Sequence, residues 1–87
     1  MTISVREKIA AVQHAIWAHW MAYLFSVCQP NGDGSATIPT EKVERWARQA
    51  CTPYAELTEG EKESDREQAD KVLSEISLLD LMNTLIS

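Results

Sequence analysis

"VREKIAAVQHAIWAHWMAYLFSV", residues 5–27, decides the fold. Val5, Ile9, Val12, Ile16, Trp20, Tyr23 and Val27 recur at intervals of three and four, the period at which side chains return to one face of an α-helix. A neighbouring stripe of His14, Trp17, Met21, Leu24 and Cys28 widens that face. The spacing predicts one long helix, apolar over most of its circumference and therefore central, packed on more than one side. Pro30 and the turn-forming Asn31-Gly32-Asp33-Gly34 mark its end.

Beyond that turn, Ser35 to Ile38 suits a short extended piece, with Thr37 and Ile38 β-branched. Pro39 fits a helix's first turn and Thr40 its N-cap. Val43, Trp46, Ala47 and Ala50 then predict an amphipathic second helix that stops near Cys51, before Pro53. Thr58 and Glu61 have the spacing of a capping box, in which the threonine oxygen and the glutamate each accept a backbone N–H at the helix start. Glu59, Glu61 and Glu63 would meet the positive end of that helix's dipole. The third helix is expected to bury Ala69, Val72, Leu73, Ile76 and Leu79. After Ser77, Leu78, Leu79, Leu81, Met82, Leu85 and Ile86 crowd into nine positions, more than one helix face holds. Either this tail folds back as a separate turn of helix or it shows apolar surface to a partner. The expected fold is an all-α or mainly α domain of three to four helices with at most a short strand pair. It occupies residues 1–87, with 77–87 a self-association segment.

The 87 residues are 45% hydrophobic and 24% charged, as in a globular domain. So short a chain buries little of its surface alone, and a homodimer or higher oligomer would help. The net charge of −5 is uneven: five basic and four acidic groups precede residue 53, and three basic and nine acidic groups follow. An acidic chain without a basic tract lacks the means to neutralise many phosphates, which argues against DNA or RNA as partner. No segment reads as a signal peptide or as long enough to cross a bilayer, so a cytoplasmic protein without a membrane partner is expected. Cys28 and Cys51 match no CxxC pattern and read as free, buried thiols.

"NGDGSATIPTEK", residues 31–42, has a calcium loop's outline. Its sixth position is Ala36 instead of glycine, and its twelfth is Lys42, which would repel the ion where a bidentate glutamate is needed. A polar turn is the better reading. His14 and His19 are five apart, on different faces of a helix, and no cysteine joins them at zinc spacing. No metal or cofactor is expected. Nor does any feature bring a nucleophile, a base and an orienting acid together, which argues against an enzyme. His14 reads either as a core histidine or as a functional one. Trp17, Trp20, Tyr23, Trp46 and Tyr54 are five of the six aromatic residues, with Arg45, Arg48 and Arg66 near some of them. Such rings either fill a small core or, beside guanidinium groups, hold a planar heterocycle carrying phosphate.

"HAIW", residues 14–17, and "TPYAELTEGEKESDREQADKVL", residues 52–73, resemble the RyR domain, the short repeat of ryanodine receptors that also stands alone in bacterial and phage proteins. His14 and Trp17 match its first helix. Pro53, Tyr54, Leu57, Glu61, Lys62, Asp65, Arg66 and Leu73 match the segment that leads into its second long helix. Val27-Cys28 stands where the family has Gly-Trp, and the stretch from Asn31 to Ala50 differs from the family's usual connector. The resemblance implies a non-enzymatic ligand-binding or docking module, with adenine nucleotides as the ligand class. Carried over residue by residue, it implies a ligand site at His14, Trp17, Tyr54 and Arg66, with Trp46, Arg45 and Asp65 as secondary candidates. In the rival reading, Asp65 and Arg66 only tie the third helix to the first. In a phage setting, the module would sequester a nucleotide-derived signal from host defence. The alternative is a protein-interaction module that turns the acidic face 56–70 towards a basic partner, such as a host protein.

Overall fold

A computed structural model describes residues 4–86; residues 1–3 and 87 of the expected domain lie outside the described residues, as does the side chain of Ile86. Among them are four α-helices and one two-stranded hairpin: α1 (Val5–Val27), β1 (Gln29–Pro30), β2 (Ala36–Thr37), α2 (Thr40–Ala50), a single 3₁₀ turn (Tyr54–Glu56), α3 (Glu59–Glu75) and α4 (Leu78–Ile86). The protein is mainly α, as the residue periods indicate.

The long helix spans Val5–Val27, opened by Ser4, whose Oγ accepts the Glu7 N–H at 3.2 Å. It closes where Cys28 turns extended ahead of Pro30. The chain then reverses in an antiparallel hairpin, pairing Gln29 with Thr37 and Pro30 with Ala36. Gly32 and Gly34 take φ of +85° and +93° at its tip, conformations that cost other residues dearly. Asp33 Oδ1 accepts from both the backbone N–H and the hydroxyl of Ser35, and Asn31 Nδ2 donates to Ser35 Oγ. The loop that resembles a calcium site is thus a self-bonded polar turn. α2 starts one residue earlier than the capping pattern suggested: Pro39, not Thr40, sits in the cap position and Thr40 is the first helical residue, with no side-chain cap. Pro39 supplies its carbonyl oxygen to the N–H groups of Lys42 and Val43.

The capping box forms as expected. Glu61 N–H donates to Thr58 Oγ1 at 3.2 Å, and Thr58 N–H donates to Glu61 Oε1 at 3.1 Å. The other carboxylate oxygen of Glu61 accepts from Arg48 Nη2 at 2.5 Å, which ties the end of α2 to the start of α3. Because this buried acid faces inward, residues 7 and 11 positions on, Gln68 and Val72, follow on the same stripe. Gln68 is buried and Val72 half-buried. The expected core of α3 is accordingly corrected. Ala69 is exposed, Leu73 is 70% and Leu79 65% exposed, and only Val72 and Ile76 are partly covered.

A second box, between Ser77 and Asp80, starts α4. Asp80 N–H donates to Ser77 Oγ, and both the N–H and the hydroxyl of Ser77 donate to Asp80 Oδ2. Asp80 also accepts from Lys8 Nζ at 3.0 and 3.1 Å, which fastens α4 to the first turns of α1. Both α3 and α4 rest on α1, so the long helix is central. Yet it is covered on few sides: Val12 and Leu57 are the buried hydrophobic residues of the described chain. Cys28 is half-buried and Cys51 exposed, which corrects the expectation of two buried thiols.

Candidate functional site

The far half of α1, α2 and the first turns of α3 border one space. Between the three is an open groove of about 910 Å³. α1 contributes Trp20, Met21, Tyr23 and Leu24, and α2 contributes Arg45, Trp46, Gln49 and Ala50. Tyr54 and Leu57 come from the connecting turn, and Glu61, Ser64 and Asp65 from α3. Trp20 and Tyr23, one turn apart on α1, meet edge to face at 6.3 Å, and Tyr23 meets Trp46 of α2 in the same way at 6.2 Å. This is the geometry that aromatic quadrupoles prefer. Trp20 and Tyr54 are 38% and 49% exposed, so these rings present area to solvent.

Charge in the groove is divided. Arg48 holds Glu61, and this hydrogen bond, with the Thr58 N–H second, keeps the Glu61 carboxyl below its ordinary value. Arg45 and Asp65 line the groove without an ion pair or side-chain hydrogen bond among the described residues. One cation and one anion are therefore left to meet an occupant.

The four principal candidates fall into two pairs. His14 and Trp17 stack on each other at 5.7 Å on an exposed stretch of α1, outside the groove. His14 is thus no core histidine. Tyr54 lines the groove, while Arg66 lies at its edge beside the tyrosine hydroxyl. Arg66 donates to Glu63 at 3.2 Å and to Glu59 at 3.3 Å, both on its own helix, and these bonds raise its pKa further. Its ion pairs with Glu59 and Glu63 stay within α3, so they do not tie α3 to α1. All three secondary candidates, Arg45, Trp46 and Asp65, line the groove. Trp20 and Tyr23 belong there too. Their place on the helical stripe of α1 reads as core, and it is the contact of Tyr23 with Trp46 of α2 that sets them in the groove wall.

Among the described residues, no three of His, Cys, Asp or Glu gather as a metal would require, and no helix is long and apolar enough to cross a membrane. No family model matches the chain, no curated protein matches it, and no solved structure does.

Proposed function

We propose that the chain is a non-enzymatic binding module whose groove takes a small planar ligand of the nucleotide class. One observation carries this reading: aromatic side chains from three elements converge on a groove of about 910 Å³ that also holds an unpaired arginine and an unpaired aspartate. Ligand sites have about this volume, with mainly apolar and aromatic walls and a few polar groups that fix orientation. In this reading Trp20, Trp46 and Tyr54 stack a base. Arg45 contacts phosphate, and Asp65 accepts hydrogen bonds from ribose hydroxyls or an exocyclic amine. The likeness of residues 14–17 and 52–73 to the RyR repeat supports the same ligand class, and in a phage such a module would sequester a signalling nucleotide.

A thermal-shift screen of cyclic and linear nucleotides tests the proposal. A ligand at a hundredfold excess over its Kd stabilises the native state by about 2.7 kcal/mol. The Arg45→Ala and Trp46→Ala proteins should lose the shift with their helix content intact. No shift with any nucleotide would sink the reading. A basic host protein captured through Glu56, Glu67 and Asp70 would then favour the interaction module. These exposed acids of the 56–70 face carry no ion pair among the described residues. In either case the chain is proposed to act as a homodimer or higher oligomer.

A further inference from the structure

α4 is mounted with its polar side inward. Asp80, 7% exposed, is the residue that seats it, bonded to Ser77 within the helix start and to Lys8 of α1. On the opposite face Leu78, Leu81, Met82 and Leu85 follow the spacing i, i+3, i+4, i+7 and are 74%, 49%, 51% and 83% exposed. This is the apolar stripe with which a helix ordinarily packs onto its own core, turned here towards solvent.

We propose that this stripe is the self-association surface, covered in solution by the same stripe of α4 from a second copy across a two-fold axis. The proposal rests on the reading that the chain self-associates through residues 77–87 and adds which face of α4 meets the second copy. Two observations identify the occupant as a second copy. The first is area. A folded chain of 9.8 kDa should expose about 5,200 Å² and have a radius of gyration near 12 Å. This one exposes 6879 Å² with a radius of 17.2 Å. The excess over the whole surface, about 1,700 Å² per chain, falls within the range one protomer gives up in an obligate dimer that buries about 2,000–5,000 Å² in all.

The second observation is charge. The chain carries −5, as +1 before residue 53 and −6 after it, so two copies that met through charged faces of their C-terminal parts would repel. α4 has one charged side chain, Asp80, which points inward and is matched by Lys8. The stripe itself is uncharged, so it can face its own image without like charges meeting, as an isologous interface requires. A strongly basic partner would gain nothing from it. A lipid surface fits poorly, since helices that lie on membranes use lysine and arginine beside their apolar face, and α4 has neither.

Sedimentation of the full chain should give twice the 9.8 kDa chain mass. Leu81→Glu with Leu85→Glu should raise the dissociation constant by at least about a hundredfold, since both leucines return to water in each copy and bring charge. Circular dichroism checks that the helices persist. Because that variant could unravel α4, a second one is read independently. Met82→Cys, with Cys28→Ser and Cys51→Ser, should form a covalent dimer on mild oxidation, since Met82 lies near the middle of the stripe. A dimer that survives the double substitution, together with no cross-link at position 82, would leave self-association standing and overturn this surface. A monomeric wild-type chain would overturn both. Flotation of that monomer with phosphatidylcholine vesicles would identify lipid as what covers the stripe.

Discussion

α3 and α4 begin alike and end up opposed. Each opens with a hydroxyl residue and an acid three positions on, Thr58 with Glu61 and Ser77 with Asp80, closed into a reciprocal box. In each the acid is buried and reaches a cation on another helix, Arg48 for Glu61 and Lys8 for Asp80. At α3 the anchored acid lines the ring-walled groove together with Leu57, a buried hydrophobic residue. At α4 the same device reaches Lys8 of α1, and the leucines of α4 point out. A buried carboxylate must keep its partners, so it fixes how the helix is rotated. Whether the apolar face then lands inside or outside depends on which residues share its stripe.

Leucine truncation breaks this comparison most sharply. Leu57→Ala should cost about 2–5 kcal/mol, the range for a buried leucine, read as a lower urea midpoint at fixed protein concentration. Leu85→Ala, at an 83% exposed site, should leave the unfolding of an isolated chain within about 0.5 kcal/mol. Its effect should show in dimer affinity. Equal losses in both proteins at a concentration too low for dimers would mean that the two helices are not opposed.

Acid sharpens the comparison next. Arg48 first and the Thr58 N–H second lower the Glu61 carboxyl from its ordinary 4.5. At Asp80 the order is reversed: the Ser77 N–H leads, Lys8 follows, and the ordinary value is 3.8. A carboxyl lowered in the folded state stabilises fully above its unfolded value, and that contribution is lost as the pH falls through the folded one. The Glu61 share should therefore begin to fade near pH 4.5 and the Asp80 share nearer 3.8. Melting temperatures from pH 7 to 3 should fall in that window, and Glu61→Gln should flatten the upper part of the fall. An unchanged profile in that variant would show that the carboxylate bond to Arg48 does not hold α2 on α3.

The smallest effect belongs to Arg66. Its partners Glu59 and Glu63 are exposed, neighbours on the same helix, and such pairs add little. Arg66→Ala should leave the melting temperature unchanged, and it should weaken nucleotide binding less than Arg45→Ala does. The reverse ranking would move the site out of the groove to the edge of Tyr54.

Local patterns were the legible part. The bounds of α1 and the Thr58–Glu61 box follow from spacing and cap chemistry within a few residues. Ser77-Leu78-Leu79-Asp80 carries a similar signature, with aspartate in the glutamate's place, among leucines whose crowding reads as burial. The facing of α3 was not legible. Leu73 and Ala69 look like core by composition, but the partner that turns Glu61 inward is Arg48, thirteen residues away, and no period within α3 reports it. Gln68 follows Glu61 inward, and its Oε1 accepts no hydrogen bond from the described residues. The groove was half legible. The ring residues were identifiable, but which of them share a cavity depends on where the hairpin after Pro30 delivers α2.

Across its shortest dimension the backbone measures 17 Å, against 51 and 34 Å in the other two. Two stacked helices nearly fill that thickness. In a plate of this kind few side chains have neighbours both above and below, so the chain supplies little crowding of its own. Diluting the protein should then act on it as heating does, with amide deuterium uptake in α1 quickening as copies separate.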